Sequence, residues 1–158
     1  DMVLRRFVGE KPGFYVDLGA HHPERFSNTF YYHKLGWRGI NVDADPDLID
    51  EFKRERPTDI NVACAVGAES KSLIFYVFNE RAVNTFDKPL AMMRTKVKGW
   101  KIVEKRKIPV KTLVQILDEH LPAKTQIDFM TIDVEGKDLE VFDRSLRFIN
   151  ELLKPRPL

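Results

Sequence analysis

The chain has 158 residues, 43% of them hydrophobic and 32% charged, with a formal net charge of +2 and one cysteine. That length supports one domain with a sizeable core, and the lone Cys64 excludes an internal disulfide framework or a cysteine metal cluster and suits a reducing, cytoplasmic compartment. A net charge this small argues neither way on nucleic acid, and no nucleic-acid partner is expected; no apolar run approaches the roughly 20 residues of a membrane span.

Strand and helix signals alternate, which predicts an α/β fold with a mostly parallel sheet. Phe14-Tyr15-Val16 is a short β-favouring run that leads into Asp17-Leu18-Gly19, where glycine permits a tight turn and close backbone approach. Ser27 or Asn28 caps a helix running to Leu35, and Gly36 stands just past its end. Arg38 to Val42 forms the second strand, ending on Asp43. Asp45-Pro46 then gives a cap and a first-turn proline; Leu48, Ile49 and Phe52 share one helical face, and Pro57 stops the helix.

Ile60 to Val66 reads as the third strand. Leu73 to Phe78 is strongly β-favouring, positions 79–99 hold a loop and a short helix, and Lys101 to Pro109 alternates as a strand antiparallel to the preceding one. Thr112 and Gln115 form a capping box for a helix with Leu113, Ile116, Leu117 and Leu121 inward, closed before Pro122. Ile127 to Ile132 is the fourth core strand. Beyond Gly136, Leu139, Phe142, Leu146, Ile149 and Leu153 recur at helical spacing and predict a long amphipathic helix. The Phe14–Val16 strand is expected at the centre, between Arg38–Val42 and Ile127–Ile132.

The first two strand ends have the layout of a nucleoside-binding half-fold. Asp43, with Ala44 beside it, lies about where such folds place the carboxylate that accepts hydrogen bonds from ribose hydroxyls. The dinucleotide fingerprint G-x-G-x-x-G is not met by Gly19-Ala20-His21-His22-Pro23: a pyrophosphate would encounter the His21 side chain where it needs bare backbone. A cofactor with ribose and adenine but no phosphate suits these residues better, and S-adenosyl-L-methionine is the common one. Ser27, Asn28 and Thr29 offer hydroxyls and helix-start N–H groups to a cofactor carboxylate, or Ser27 simply caps its helix. Cys64, Ala65 and Val66 either let an adenine ring lie flat or pack as core.

Asp133-Val134-Glu135-Gly136 places two acidic side chains at the carboxyl end of a central strand, where ligands bind in open parallel sheets. Asp133 is the candidate for polarising or deprotonating an acceptor hydroxyl, Glu135 for orienting that acceptor. His21 is an alternative base, as is His22. Neither histidine belongs to a recognisable ligand spacing, so no metal is assigned. Asn84 and Thr85 are candidate acceptor contacts, or a turn residue and its cap. From Arg94 to Lys111 basic residues face only Glu104; they form a solvated surface, or a rim that attracts an anionic acceptor such as a nucleotide-linked or lipid-linked sugar.

The segments VDLGAHHPERFSNTFYYHKLGWRGINVDADP, NVACAVG, AVNTFDKP, IPVKTL and IDFMTIDVEGKDLEVF resemble, in order, successive motifs of the FkbM family of S-adenosylmethionine-dependent O-methyltransferases. The resemblance implies a Rossmann-like class I methyltransferase sheet and methyl transfer to a hydroxyl of a sugar or natural-product acceptor. It also implies that the edge formed by Asp17, Gly19 and Ala20 meets the methionine portion of the cofactor. Methyltransferase sheets of this kind have seven strands, three of them beyond the one ending at Asp133. Residues 1–158 are therefore expected to form a single methyltransferase domain truncated at the C-terminus, with the Ile127–Ile132 edge open to homo-oligomeric pairing. The alternatives are a cofactor-binding module without turnover and a nicotinamide-dependent oxidoreductase, the latter disfavoured by the missing glycines.

Overall fold

The computed structural model describes residues 8, 9 and 11–134. Its elements in chain order are β1 (Phe14–Leu18), α1 (Phe30–Lys34), β2 (Arg38–Asp43), α2 (Pro46–Glu55), β3 (Ile60–Ala63), β4 (Ala65–Val66), β5 (Lys71–Phe78), a 3-10 turn (Arg81–Val83), α3 (Lys88–Arg94), β6 (Ile102–Lys111), α4 (Leu113–His120) and β7 (Phe129–Ile132). They fall into two compact units, Asp1–Glu69 with Lys111–Leu158, and Ser70–Val110.

The first unit is built on a parallel sheet in the order β3-β2-β1-β7. Val16 on β1 faces Ile40 on one side and Met130 on the other, so the predicted central strand is central, with the predicted neighbours. Alternation along the strands separates two buried faces. Val16, Leu18, Ile40 and Val42 pack with Cys64 and Ile127 and with Leu113, Ile116 and Leu117 of α4. On the opposite face Tyr15 joins Tyr32, Trp37 and Phe129, their ring centroids 4.8 to 5.8 Å apart. Each large apolar side chain buried this way contributes about 1.5–3 kcal/mol.

The local signals act where the sequence places them. The Asp45 carboxylate accepts from the Asp47 N–H at 3.0 Å, with Pro46 in the first turn. Both halves of the Thr112–Gln115 capping box are formed. Gly36 closes α1 at φ +90°, a backbone angle that side chains disfavour.

Two boundaries differ from expectation. The third strand is not continuous from Ile60 to Val66: β3 ends at Ala63, the Cys64 N–H makes one more bond to the Asp43 carbonyl at 3.0 Å, and Ala65–Val66 form β4 in a different sheet. Helix α1 begins at Phe30, after Ser27 and Asn28, because the Ser27 hydroxyl accepts from the Thr29 and Phe30 N–H groups from outside the first turn. The helix predicted beyond Gly136 lies outside the described residues, as does Glu135.

In the second unit β5 and β6 pair antiparallel, Leu73 opposite Ile108. Tyr76, Phe78, Val83 and Ala91 form its core with Trp100 and Ile102 packed against them. The predicted short helix is α3, capped by the Asp87 carboxylate. No helix among the described residues is long and apolar enough to cross a membrane.

Candidate active site at the strand ends

The strand registers run Leu18 opposite both Val42 and Ile132, so one residue further Asp43 and Asp133 fall on either side of Gly19. Adjacent strands lie roughly 4.8 Å apart, which puts these two carboxylate-bearing positions about 10 Å apart across the sheet. Gly19 is fixed between them. Its φ is +79°, its N–H and that of Ala20 both donate to the Val42 carbonyl, and the Asp133 N–H donates to the Leu18 carbonyl at 2.8 Å. A Cβ on Gly19 would lie 1.8 Å from the Asp133 carbonyl oxygen. The close approach that Gly19 permits is thus to β7.

Asp43 is held by the backbone around it. One oxygen accepts from the His21 N–H at 2.9 Å and the other from the Asp45 N–H at 2.8 Å. Each carboxylate oxygen has a second lone pair, so the group is oriented and still able to accept two hydroxyl donors. Burial raises its pKa, and the two N–H groups oppose that rise. Asp133 is exposed at the other flank. Ala44 is half-buried between Asp43 and the capping Asp45.

Asp17 is placed differently from the other two. It lies on the same face as Tyr15, is 2% exposed, and accepts from the Thr29 hydroxyl at 2.7 Å. Burial pushes its pKa up to about 6 from the ordinary 3.8, against the lowering effect of Thr29 and Arg56. A carboxyl whose pKa is higher folded than unfolded favours folding in its protonated form. Its contribution is therefore full below about pH 4 and is lost as pH rises through about 6. Asp17→Asn is expected to remove roughly 3 kcal/mol of this pH-dependent loss between pH 4 and 7, measured by urea unfolding of both proteins across that range.

The loop from Ala20 to Thr29 is closely tied down. Asn28 donates to the Thr131 hydroxyl on β7 at 3.3 Å. Ser27 and Thr29 hydroxyls are both engaged, Thr29 with Asp17 of β1, and the Thr29 and Phe30 N–H groups donate to Ser27, so these groups already have partners in the protein. His22 Nδ1 accepts from the Glu24 and Arg25 N–H groups at 3.0 Å each, which occupies that nitrogen. His21 is exposed, with φ +56°. It stands where the dinucleotide fingerprint has its second glycine, with the backbone angle of a glycine and a side chain added. Among the described residues no group of three or more His, Cys, Asp or Glu side chains is arranged to hold a metal.

The other sequence candidates have the following surroundings. Cys64 is 1% exposed in the main core, and burial pushes its thiol pKa up to about 11; Ala65 and Val66 are also buried. In the second unit the Asn84 side-chain carbonyl accepts from the Phe78 N–H at 2.8 Å, and the Thr85 hydroxyl accepts from the Asp87 N–H at 3.1 Å. Both side chains thus make local turn contacts in that unit. A cavity of about 300 Å³ lined by Trp37, Lys11 and Asp128 lies at the opposite end of β1 and β7, away from the three carboxylates.

Sequence reasoning missed a buried polar network behind the site. Tyr15, Asn41, Arg56 and Asp59 are all at most 8% exposed. Tyr15 donates to Asp59 at 2.5 Å, Asn41 donates to the same carboxylate oxygen at 3.2 Å, and Arg56 donates to Tyr15 at 3.3 Å. Burial and Asp59 both raise the Tyr15 pKa, so the phenol remains a donor. Asn41 was the available signal: an amide inside a strand covered on both faces must find partners.

A family model described as the methyltransferase FkbM domain matches residues 17–153. No curated protein and no solved structure gives a match. The Rossmann-like parallel order, the glycine turn after β1, the carboxylate ending β2 and the family match over most of the length agree, and the chain belongs to the FkbM methyltransferase domain family.

Proposed function

We propose that this chain is an S-adenosylmethionine-dependent O-methyltransferase acting on a hydroxyl of a sugar or natural-product acceptor. The observation that carries the reading is the shelf over Gly19, with an oriented carboxylate at Asp43 on one flank and an exposed one at Asp133 on the other. The residues fit the cofactor on chemical grounds: Asp43 has lone pairs for a ribose diol, and the loop lacks the bare glycines that a pyrophosphate needs. When bound, S-adenosylmethionine supplies an electrophilic methyl group on a sulfonium.

The protein's own work is then to hold and orient. Asp43 would accept from the ribose hydroxyls, the Gly19–Ala20 edge would hold the methionine portion, and Asp133 would meet the acceptor hydroxyl. During methyl transfer to that hydroxyl, the Asp133 carboxylate would accept the hydroxyl proton. An alcohol is far less acidic than a carboxylic acid, so the proton moves with bond formation rather than before it. A cytoplasmic setting belongs to the same proposal, supported by a single cysteine kept as a buried thiol.

Incubation with methyl-labelled S-adenosylmethionine and a panel of sugar and polyol acceptors tests the activity; label in an acceptor ether supports it, and label in none of the panel speaks against the acceptor class. Asp43→Ala is expected to cost about 1.5–3 kcal/mol of binding, or roughly 10- to 150-fold in the S-adenosylhomocysteine dissociation constant. An unchanged constant in a folded variant would remove Asp43 from the site.

A further inference from the structure

Arg56 follows the last turn of α2 and is 1% exposed, yet among the described residues its guanidinium donates to no carboxylate. Its Nη1 donates to the Thr29 hydroxyl at 2.9 Å and to the Tyr15 hydroxyl at 3.3 Å. Its Nη2 donates to the Ser27 hydroxyl at 2.9 Å and to the Pro23 carbonyl. Each bridging hydroxyl has one direction open to it, because guanidinium only donates and carboxylate only accepts. Thr29 must pass its proton to Asp17, and Tyr15 must pass its proton to Asp59. The guanidinium also lies over the Phe52 and Phe30 rings, 5.0 and 5.6 Å from their centroids.

Three of the four acceptors, Pro23, Ser27 and Thr29, belong to the loop that runs from the Gly19 turn to α1. That loop also contains His21 and Phe26 at positive φ, conformations that side chains adopt only when their surroundings hold them. We propose that Arg56 is the positioning residue of the strand-end site: its fork fixes the loop over which the ligand binds and, through Thr29, fixes the acceptor face of Asp17. This rests on the cofactor site proposed above. A lysine cannot replace it, since one nitrogen cannot serve four acceptors reached from two.

The test compares wild type, Arg56→Lys and Arg56→Ala by residue-resolved amide hydrogen exchange and by S-adenosylhomocysteine titration. Exchange in residues 21–30 is expected to accelerate about tenfold or more in Arg56→Lys while the Val16, Ile40 and Val42 amides keep their rates, with a parallel loss of affinity. Millimolar guanidinium added to Arg56→Ala should restore both. Should neither Arg56 variant fold, Ser27→Ala removes one of the four acceptors and is expected to loosen the same loop selectively. Unchanged loop exchange, acceleration spread evenly over the sheet, or a loosened loop with undiminished affinity would each overturn the proposal. A wild-type protein that does not bind S-adenosylhomocysteine would overturn the cofactor site instead, and the exchange pattern would still decide whether Arg56 holds the loop.

Discussion

Gly19→Ala is expected to lower stability by about 3–5 kcal/mol, at the upper end for a single substitution. The left-handed backbone angle accounts for roughly 1–2 kcal/mol. The larger part is steric: the new methyl would overlap the Asp133 carbonyl oxygen, and the obstacle is strand backbone, which no rotamer change relieves. Relief requires β1 and β7 to part at their carboxyl ends, breaking the bond from the Asp133 N–H to the Leu18 carbonyl. For a protein of this size the melting temperature should fall by roughly 6–20 °C. The same parting changes the spacing of Asp43 and Asp133, so ligand affinity should fall even where the variant is folded. Urea unfolding together with calorimetry checks both effects, and a wild-type midpoint would show that the strand ends are not packed as described.

Asp133→Asn is expected to reduce methyl transfer about 10²- to 10⁴-fold, the usual contribution of a positioned base, while the S-adenosylhomocysteine dissociation constant stays within about twofold. Asparagine keeps the shape and the backbone bond to Leu18, so the change removes a proton acceptor and little else. Asp133 is exposed and its backbone supplies the structural contact, which leaves the carboxylate available for chemistry. A fall in affinity with an unchanged rate at saturation would move Asp133 to the cofactor side. Full activity would end the catalytic assignment and turn attention to the exposed His21; His22 has its Nδ1 occupied by two backbone N–H groups.

The elements that announced themselves in the sequence are those set by local chemistry. Asp45-Pro46 and the Thr112–Gln115 pair are hydrogen-bonded caps that need no distant partner, and both form as written. The β1 and β2 runs are largely buried on both faces, as strands inside a parallel sheet are; β2 ends at Asp43, and β1 ends at Leu18, one residue past Asp17. The break at Cys64 was hidden because Ala65–Val66 form a separate strand in a different sheet from β3, a long-range choice that the apolar run does not show. The start of α1 was misplaced because Ser27 caps from outside the helix while also accepting from Arg56, 29 positions away.

The site divides along the same line. The positions of Asp43 and Asp133 were legible because Asp43 ends β2 and Asp133 directly follows β7, and strand ends are visible as a change from apolar run to turn. Asp17 looked equivalent, but parity along β1 puts it beside Tyr15, under Thr29 and away from solvent. Arg56 could be read only as the residue before a helix-stopping proline. Its partners lie 27 to 41 positions distant, and nothing in the local pattern brings them together.

The central claim is that the shelf over Gly19 binds an adenosine-type nucleoside without a pyrophosphate. Calorimetric titration of the wild-type chain with S-adenosylhomocysteine and, separately, with NAD tests it most directly. Saturable one-to-one binding of S-adenosylhomocysteine, weakened in Asp43→Ala and absent or far weaker for NAD, is the predicted result. Binding of NAD in preference to S-adenosylhomocysteine, or binding of S-adenosylhomocysteine that ignores Asp43, would contradict it.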